Sequence, residues 1–318
     1  MPEIKSPEHF IPTIAVIIPC YNEEATISNV VRDFVTVLPG SHVYVYDNNS
    51  TDKSVENAKK AGALVRHEKQ QGKGNVVRRA FADVDADIYV LVDGDDTYDA
   101  RSAPRLVAQL LNGPYDMINA SRVEKSELAY RKGHRFGNWA ISTMIGVLFG
   151  KSCNDVLSGY RVFSKRFVKS FPALARGFEI ETELTVHALQ LRMPVAETQT
   201  PYKERPEGSV SKLSTFKDGF RILFTILYLL KEEKPLMFFS IISFVLLLGA
   251  LILGVPVIED FMKTGLVPRL PSAVLATGLV ILSSLGVACG MILDSLTRAR
   301  LELKRLTYLR HSAPHYHD

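Results

Sequence analysis

Asp93-Gly94-Asp95-Asp96 closes the apolar run DIYVLVD. A glycine between two carboxylates permits a turn that aims both at one hard divalent ion. Mg²⁺ or Mn²⁺ held by one or two acids and shared with a diphosphate suits such a triplet. Two other apolar runs end in similar clusters: TIAVIIP leads into Cys20-Tyr21-Asn22-Glu23-Glu24, and HVYVYD into Asn48-Asn49-Ser50-Thr51-Asp52. Where such ends converge, the carboxylates repel one another unless a cation or a donor-rich ligand sits among them. Capping of the following helices is the competing use of these side chains. It is assigned to Asp52 and Ser102, and it does not account for residues 93–96.

Basic residues fall where phosphate would have to be met. Lys73, between Gly72 and Gly74, is placed either to approach the phosphates of a ligand or to stand as a solvated turn lysine. Arg122 follows the fifth apolar run, within reach of a donor or acceptor phosphate. Asp155 and Arg161 flank a Ser-Gly-Tyr turn, as functional groups or as an internal ion pair. Asp155 is the candidate for orienting a ligand or acting as a base. Arg205 and Lys212 lie on a Pro- and Gly-containing loop, and an arginine fork with a lysine suits an interfacial phosphate. Three alternating acids, Glu179, Glu181 and Glu183, open a helix, and Glu183 is the one expected to meet hydroxyl groups of a ligand.

The elements that must position these groups alternate. Residues 13–19, 42–47, 63–67, 87–93 and 116–121 read as short apolar strands, and 23–37, 52–61, 74–84 and 102–111 as helices. That order implies an α/β domain with a mostly parallel sheet covered by helices on both faces. Ligands bind outside the carboxyl ends of such strands, where the acidic clusters lie. Residues 134–150 read as a helix that either packs in the core or lines a lipid channel.

The C-terminal part has a different composition. Leu236–Ile258 and Leu270–Leu293 are runs of 23 and 24 residues without a charge, each long enough to cross a bilayer. The linker 259–269 carries two acids and two bases. Lys231 and Lys234 precede the pair, and Arg298, Arg300, Lys304, Arg305 and Arg310 follow it. Positive charge stays cytoplasmic, so both termini are expected in the cytosol and residues 259–269 on the far side. Residues 213–231 carry an apolar stripe at helical spacing, read as an amphipathic helix on the inner membrane surface. The expected organisation is a cytosolic domain at 1–212, a juxtamembrane helix at 213–234, a two-helix hairpin at 235–293 and a cytosolic tail at 294–318.

Pro19-Cys20-Tyr21-Asn22-Glu23, Asp47-Asn48-Asn49-Ser50-Thr51-Asp52, Gly72-Lys73-Gly74 and Asp93-Gly94-Asp95, in this order, resemble the family 2 glycosyltransferases of the GT-A (Rossmann-like) fold. Asp155-Val156-Leu157-Ser158-Gly159-Tyr160-Arg161 and Arg205 to Lys212 are similar to the dolichyl-phosphate mannose synthase and bacterial polyprenyl-phosphate glycosyltransferase branch. The resemblance covers residues 12–235, and the hairpin matches membrane-anchored members. It implies that Pro19, Tyr21, Glu23 and Asp47 hold the nucleotide base and ribose, that Lys73, Gly94 and both aspartates serve the donor, and that Asp93 and Asp95 hold the metal. It further implies an inverting transfer of a sugar to polyprenyl (undecaprenyl or dolichyl) phosphate. Asp95, Asp155 and Arg205 are the catalytic candidates, and Arg122, Arg161, Arg205 and Lys212 those for the acceptor phosphate. Mannose synthases have glutamine where Thr97 stands, which leaves the third metal ligand open to Asp96 or Asp99 and favours a UDP-sugar over a GDP-sugar.

Composition narrows the field. A net charge of +4 is too mild to announce nucleic-acid binding. Three cysteines, at 20, 153 and 289, make neither a metal-binding pair nor a disulfide framework. His311, His315 and His317 read as part of a flexible polar tail. Polysaccharide synthases of the same fold carry a QxxRW motif, which is absent around Trp139. A glycosyltransferase acting on a lipid hydroxyl and a non-catalytic sugar-nucleotide-binding membrane adaptor remain as rivals. The expected partners are a nucleotide-sugar, a polyprenyl phosphate and the inner cell membrane, and the reading admits a homo-oligomer.

Overall fold

A computed structural model describes residues 11–124, 142–146, 155–174, 177, 179–203 and 227–313. Two compact units divide the chain: Met1–Gly219 with Lys304–Asp318, and Phe220–Leu303.

In the first unit, Ile14–Cys20 (β1) is apolar at successive positions and buried on both faces, which suits the interior of a parallel sheet. Ile27–Val37 (α1) turns Ile27, Val30, Val31 and Phe34 inward at helical spacing. His42–Asp47 (β2), Ser54–Lys60 (α2), Leu64–His67 (β3), Lys73–Asp83 (α3) and Ile88–Leu91 (β4) complete the anticipated alternation. A short 3₁₀ turn, Ala100–Ser102, leads into Ala103–Asn112 (α4) and then Met117–Glu124 (β5).

The remaining elements were not anticipated as strands. Arg161–Ser164 (β6) runs into Lys165–Ser170 (α5), and after Ile180–Gln190 (α6) the chain adds Val195–Tyr202 (β7). The seven-stranded sheet has the order β3-β2-β1-β4-β6-β5-β7. β6 is antiparallel to both β4 and β5, and the other pairings are parallel. β6 therefore lies between β4 and β5 in space.

The chain winds outward from β1 through β2 to β3, then returns to the other side of β1 for β4. This reversal opens a crevice at the carboxyl ends of β1 and β4. Cys20 pairs with Asp47 across β1 and β2, so both acidic turns emerge at one end of the sheet. β4 stops at Leu91, and the Val92 amide still donates to the Ile17 carbonyl before the chain leaves at Asp93.

In the second unit, Pro235–Thr264 (α7) and Leu270–Leu309 (α8) are long and apolar enough to cross a membrane. α7 runs beyond the uncharged stretch to Thr264, and Gly265 closes it at a φ of 70°, a left-handed conformation that suits glycine. The connection is therefore shorter than the 11-residue linker the charge pattern suggested. Ser283 Oγ donates to the Ser243 carbonyl at 2.8 Å, and Gly286 admits the Ser243 side chain, so small residues set how closely the two helices approach. The last residues of α8 belong to the first unit, where the Tyr308 hydroxyl donates to Asp116 at 2.8 Å. Only 227–231 of the expected amphipathic helix and 142–146 of the expected 134–150 helix are described, and both are helical.

Candidate active site

Side-chain hydrogen bonds lace the ends of β1 and β2 together. Asn22 and Asn49 take positive φ, a conformation asparagine tolerates better than most residues. The Asn22 amide donates to Ser50 Oγ at 3.0 Å, and its side-chain oxygen accepts from the Thr51 amide at 2.8 Å. The Glu23 amide donates to Ser54 Oγ at 2.8 Å, while Tyr21 and Glu23 stay partly exposed. Asp47 is buried, with one oxygen accepting from the Ser50 amide and the other 3.2 Å from His67 Nδ1. Asp52 accepts from the Ser54 amide at 2.9 Å in the first turn of α2, as a capping acid would. Burial alone would raise its carboxyl, but the Ser54 hydrogen bonds outweigh burial and hold it below the ordinary range.

Asn48, which the sequence did not single out, fixes the next loop. Its amide nitrogen donates to the carbonyls of Glu68 and Gln70, and its oxygen accepts from the Gly72 amide at 2.7 Å. Gly72 has a φ of 128°, which requires glycine, and it delivers Lys73 as the first residue of α3.

Lys73 is not a solvated turn lysine. It is buried, and its ammonium binds Asp93 and, at 2.5 Å, Glu181 of α6. Burial alone would lower its pKa, but the two carboxylates outweigh burial and hold it above the ordinary lysine range. Burial pushes the Glu181 carboxyl up, against the pull of Lys73. Glu181, rather than the expected Glu183, is thus the acid of this helix that reaches the crevice. Glu183 instead accepts from the Leu174 amide at 2.9 Å.

The acidic turn packs tightly. The Thr26 hydroxyl donates to the Gly94 carbonyl at 2.7 Å, and a side chain at Gly159 would collide with the Asp93 carboxylate. Asp95 is buried and accepts from the Thr97 hydroxyl at 2.6 Å. Neither proposed third ligand is drawn to the pair. Asp99 accepts from the hydroxyl of Ser102, which stands at the N-cap of α4 but makes no side-chain capping bond, and Asp96 lies 3.7 Å from the Lys203 ammonium. Among the described residues no group of three His, Cys, Asp or Glu could hold a metal. The donor set, two carboxylates two residues apart, fits a divalent ion only if ligand oxygens complete its shell.

A second cluster stands where β5 and β7 end. Arg122 grips both oxygens of the buried Asp155 at 2.7 Å, and its amide adds a third bond at 3.2 Å. Asp155 is therefore held by Arg122, and the bidentate bond engages both of its carboxylate oxygens. Asn119 and Glu197, opposite each other in register, hold the Asp155 backbone: its carbonyl accepts from Asn119 and its amide donates to Glu197 at 2.9 Å. The Arg122 guanidinium lies 5.5 Å from the Tyr202 ring centre, and Tyr202 packs on Tyr98, whose hydroxyl accepts from the Gly159 amide. An aromatic bridge thus joins the two clusters.

Arg161 departs from its expected place at the acceptor phosphate. It is fully buried, and its guanidinium donates to the Ser158 and Val156 carbonyls and the Thr185 hydroxyl. Arg205 and Lys212, with Glu204 and Glu207, lie outside the described residues.

A doubly wound sheet with an acidic turn and a buried lysine at its switch point defines a domain of the GT-A type. The comparisons narrow the class. The chain belongs to glycosyltransferase family 2: the Glycosyl transferase family 2 model matches residues 15–171, and Glycosyltransferase AglJ of Haloferax volcanii is 32% identical over 233 residues, 73% of this chain and 76% of that protein. Dolichyl-phosphate hexose transferase of the same archaeon is 28% identical over 227 residues, covering 71% of this chain and 98% of that protein. Among solved structures, glucosyl-3-phosphoglycerate synthase from Mycobacterium tuberculosis, in complex with Mn²⁺, UDP-glucose and glycerol 3-phosphate, superposes with a TM-score of 0.55 at 25% identity, over 69% of this chain and 79% of that one.

Proposed function

We propose that this glycosyltransferase moves a sugar from a nucleotide-sugar, UDP- in preference to GDP-linked, to a polyprenyl phosphate at the membrane. The observation that carries the reading is the convergence of Lys73, Asp93 and Asp95 at the switch-point crevice, joined through Tyr98 and Tyr202 to the Arg122–Asp155 pair. Two helices of membrane-spanning length in the same chain and the dolichyl-phosphate hexose transferase relative support the lipid acceptor.

Pro19, Tyr21, Glu23 and Asp47 would receive the base and ribose, since carboxylates accept from base N–H and ribose hydroxyl groups. Mg²⁺ or Mn²⁺ held by Asp93, Asp95 and the donor diphosphate would supply positive charge to the leaving group. The acceptor phosphate is already ionised at neutral pH, so it needs orientation more than proton removal. Asp155 supplies that by fixing the Arg122 guanidinium, whose remaining N–H groups would meet the phosphate, with Arg205 and Lys212 as further phosphate donors. A single displacement at the anomeric carbon inverts it. Charge flanking the apolar helices favours a topology with the catalytic domain and both termini on the cytoplasmic side of the inner membrane.

The test is to incubate the purified chain with a panel of UDP- and GDP-sugars and with undecaprenyl or dolichyl phosphate, and to identify lipid products by mass spectrometry. A hexosyl lipid phosphate is expected, formed fastest from a UDP-sugar. Transfer to diacylglycerol in place of the lipid phosphate would overturn the reading.

A further inference from the structure

Glu181 has no part in the chemistry above, yet it is buried in the same crevice. The exposures of the three charged side chains differ sharply: 8% for Lys73, 6% for Glu181 and 29% for Asp93. The Lys73 ammonium touches both carboxylates. The second oxygen of Glu181 is buried with no hydrogen bond among the described residues. Two carboxylates therefore share one ammonium, and one carboxylate oxygen is left without a donor.

Asp93 is the exposed member, and it is one of the two acids available to a divalent ion. With the ammonium already on it, a divalent ion arriving alone would meet a like charge a few ångströms away in a medium of low dielectric. A diphosphate changes that balance. Its oxygens complete the shell of the ion and offer the ammonium an alternative partner.

We propose that Lys73, held in place by Glu181, stands in for the divalent cation at Asp93, so that metal binds only together with the nucleotide diphosphate. The proposal rests on the donor-site reading of Asp93. Glu181 is in this sense a positioning residue: it acts on Asp93 through Lys73. If the Glu181–Lys73 contact merely tied α6 to α3, its loss would lower stability and leave metal affinity unchanged.

The experiment measures Mn²⁺ binding to the full chain in detergent by the electron paramagnetic resonance of free Mn²⁺, with and without UDP. The wild type is expected to bind Mn²⁺ weakly alone and much more tightly with UDP. Lys73→Met should tighten binding in the absence of UDP at least about tenfold, or about 1.4 kcal/mol at 25 °C. Glu181→Gln, which leaves the ammonium to Asp93 alone, should bind Mn²⁺ more weakly than wild type, whereas unchanged affinity would make Glu181 a purely structural partner. Lys73→Met buries an uncompensated acid pair, so the double variant Lys73→Met/Glu181→Gln provides a second comparison: it should bind Mn²⁺ more tightly than Glu181→Gln alone. Equal affinities within either Lys/Met pair of folded proteins would overturn the proposal, as would wild-type Mn²⁺ binding indifferent to UDP. Such a result alongside a hexosyl lipid phosphate from the wild type would remove only the stand-in. Tightened binding by the Met variants without any lipid product would remove only the acceptor reading.

Discussion

The two halves of the sheet hold their polar groups differently. On the side of β1 to β4, side chains such as Asn22, Asn48 and Asp52 bond to backbone groups in turns at the strand ends, where Asp47, Asp93 and Asp95 also lie. On the side of β5 to β7, Arg161 runs through the interior, while Asn119 and Glu197 clasp the backbone of Asp155. The first half is built so that its polar groups can receive a ligand. Much of the charge in the second half is spent on holding the fold. Changes in the first half should therefore cost activity at nearly constant stability, and changes at interior charges of the second should do the reverse.

The largest effect is expected at Asp95. Asp95→Asn can still accept from Thr97 but loses the charge a divalent ion requires, so transfer should fall at least about 10³-fold, roughly 4 kcal/mol, with the unfolding midpoint nearly unchanged. Excess EDTA should act on the wild type in the same direction. Full turnover in either experiment would remove the metal from this half of the sheet.

Arg161→Met is expected to destabilise by about 3 kcal/mol, because it strips charged donors from two buried carbonyls. Urea unfolding in detergent measures this. Wild-type stability together with weakened lipid-phosphate binding would return Arg161 to the acceptor site and erase the contrast between the halves.

Acid should loosen the second half. His187 is buried against Phe167 and Phe171, and burial pushes its pKa down to about 3. The unfolded chain takes up this proton near pH 6.5 and the folded chain does not, so the stability present above about pH 6.5 is lost progressively as pH falls toward 3. Between pH 7.5 and pH 5 the loss from this one group should be about 2 kcal/mol, and His187→Phe should remove that part of the slope. An unchanged slope in the variant would mean that other groups carry it.

The smallest effect is expected at the loop carrying Arg205. Arg205→Ala should reduce transfer to polyprenyl phosphate about tenfold, and Arg205→Lys should restore only part of it, because lysine lacks the planar fork. Unchanged transfer would make Arg205 a surface partner of Glu204 or Glu207.

The first half was legible because its strands are local patterns: apolar runs that end in Asp47 and Asp93 and are separated by helices with a clear buried face. The second half hid its organisation in long-range pairing. β7, VAETQTPY, has no apolar alternation, and it becomes a strand by pairing with β5 along its whole length. β6 is four residues long and begins with an arginine, which read as a phosphate ligand because nothing local announces that its partners are buried carbonyls. The choice between Glu181 and Glu183 turned on the phase of α6: residues two apart on a helix point in different directions, and the sequence did not fix where the helix starts.

Asn48 carries a last consequence. One side chain satisfies three backbone groups of the 68–72 loop. The loop cannot then fray residue by residue, since releasing that amide frees all three groups at once. Glu68, Gln70 and Gly72 should therefore open as one cooperative unit, with the Gly72 amide exchanging its hydrogen only when the whole strap lets go. Lys73 follows immediately, so its position is set by an all-or-none closure of the strap.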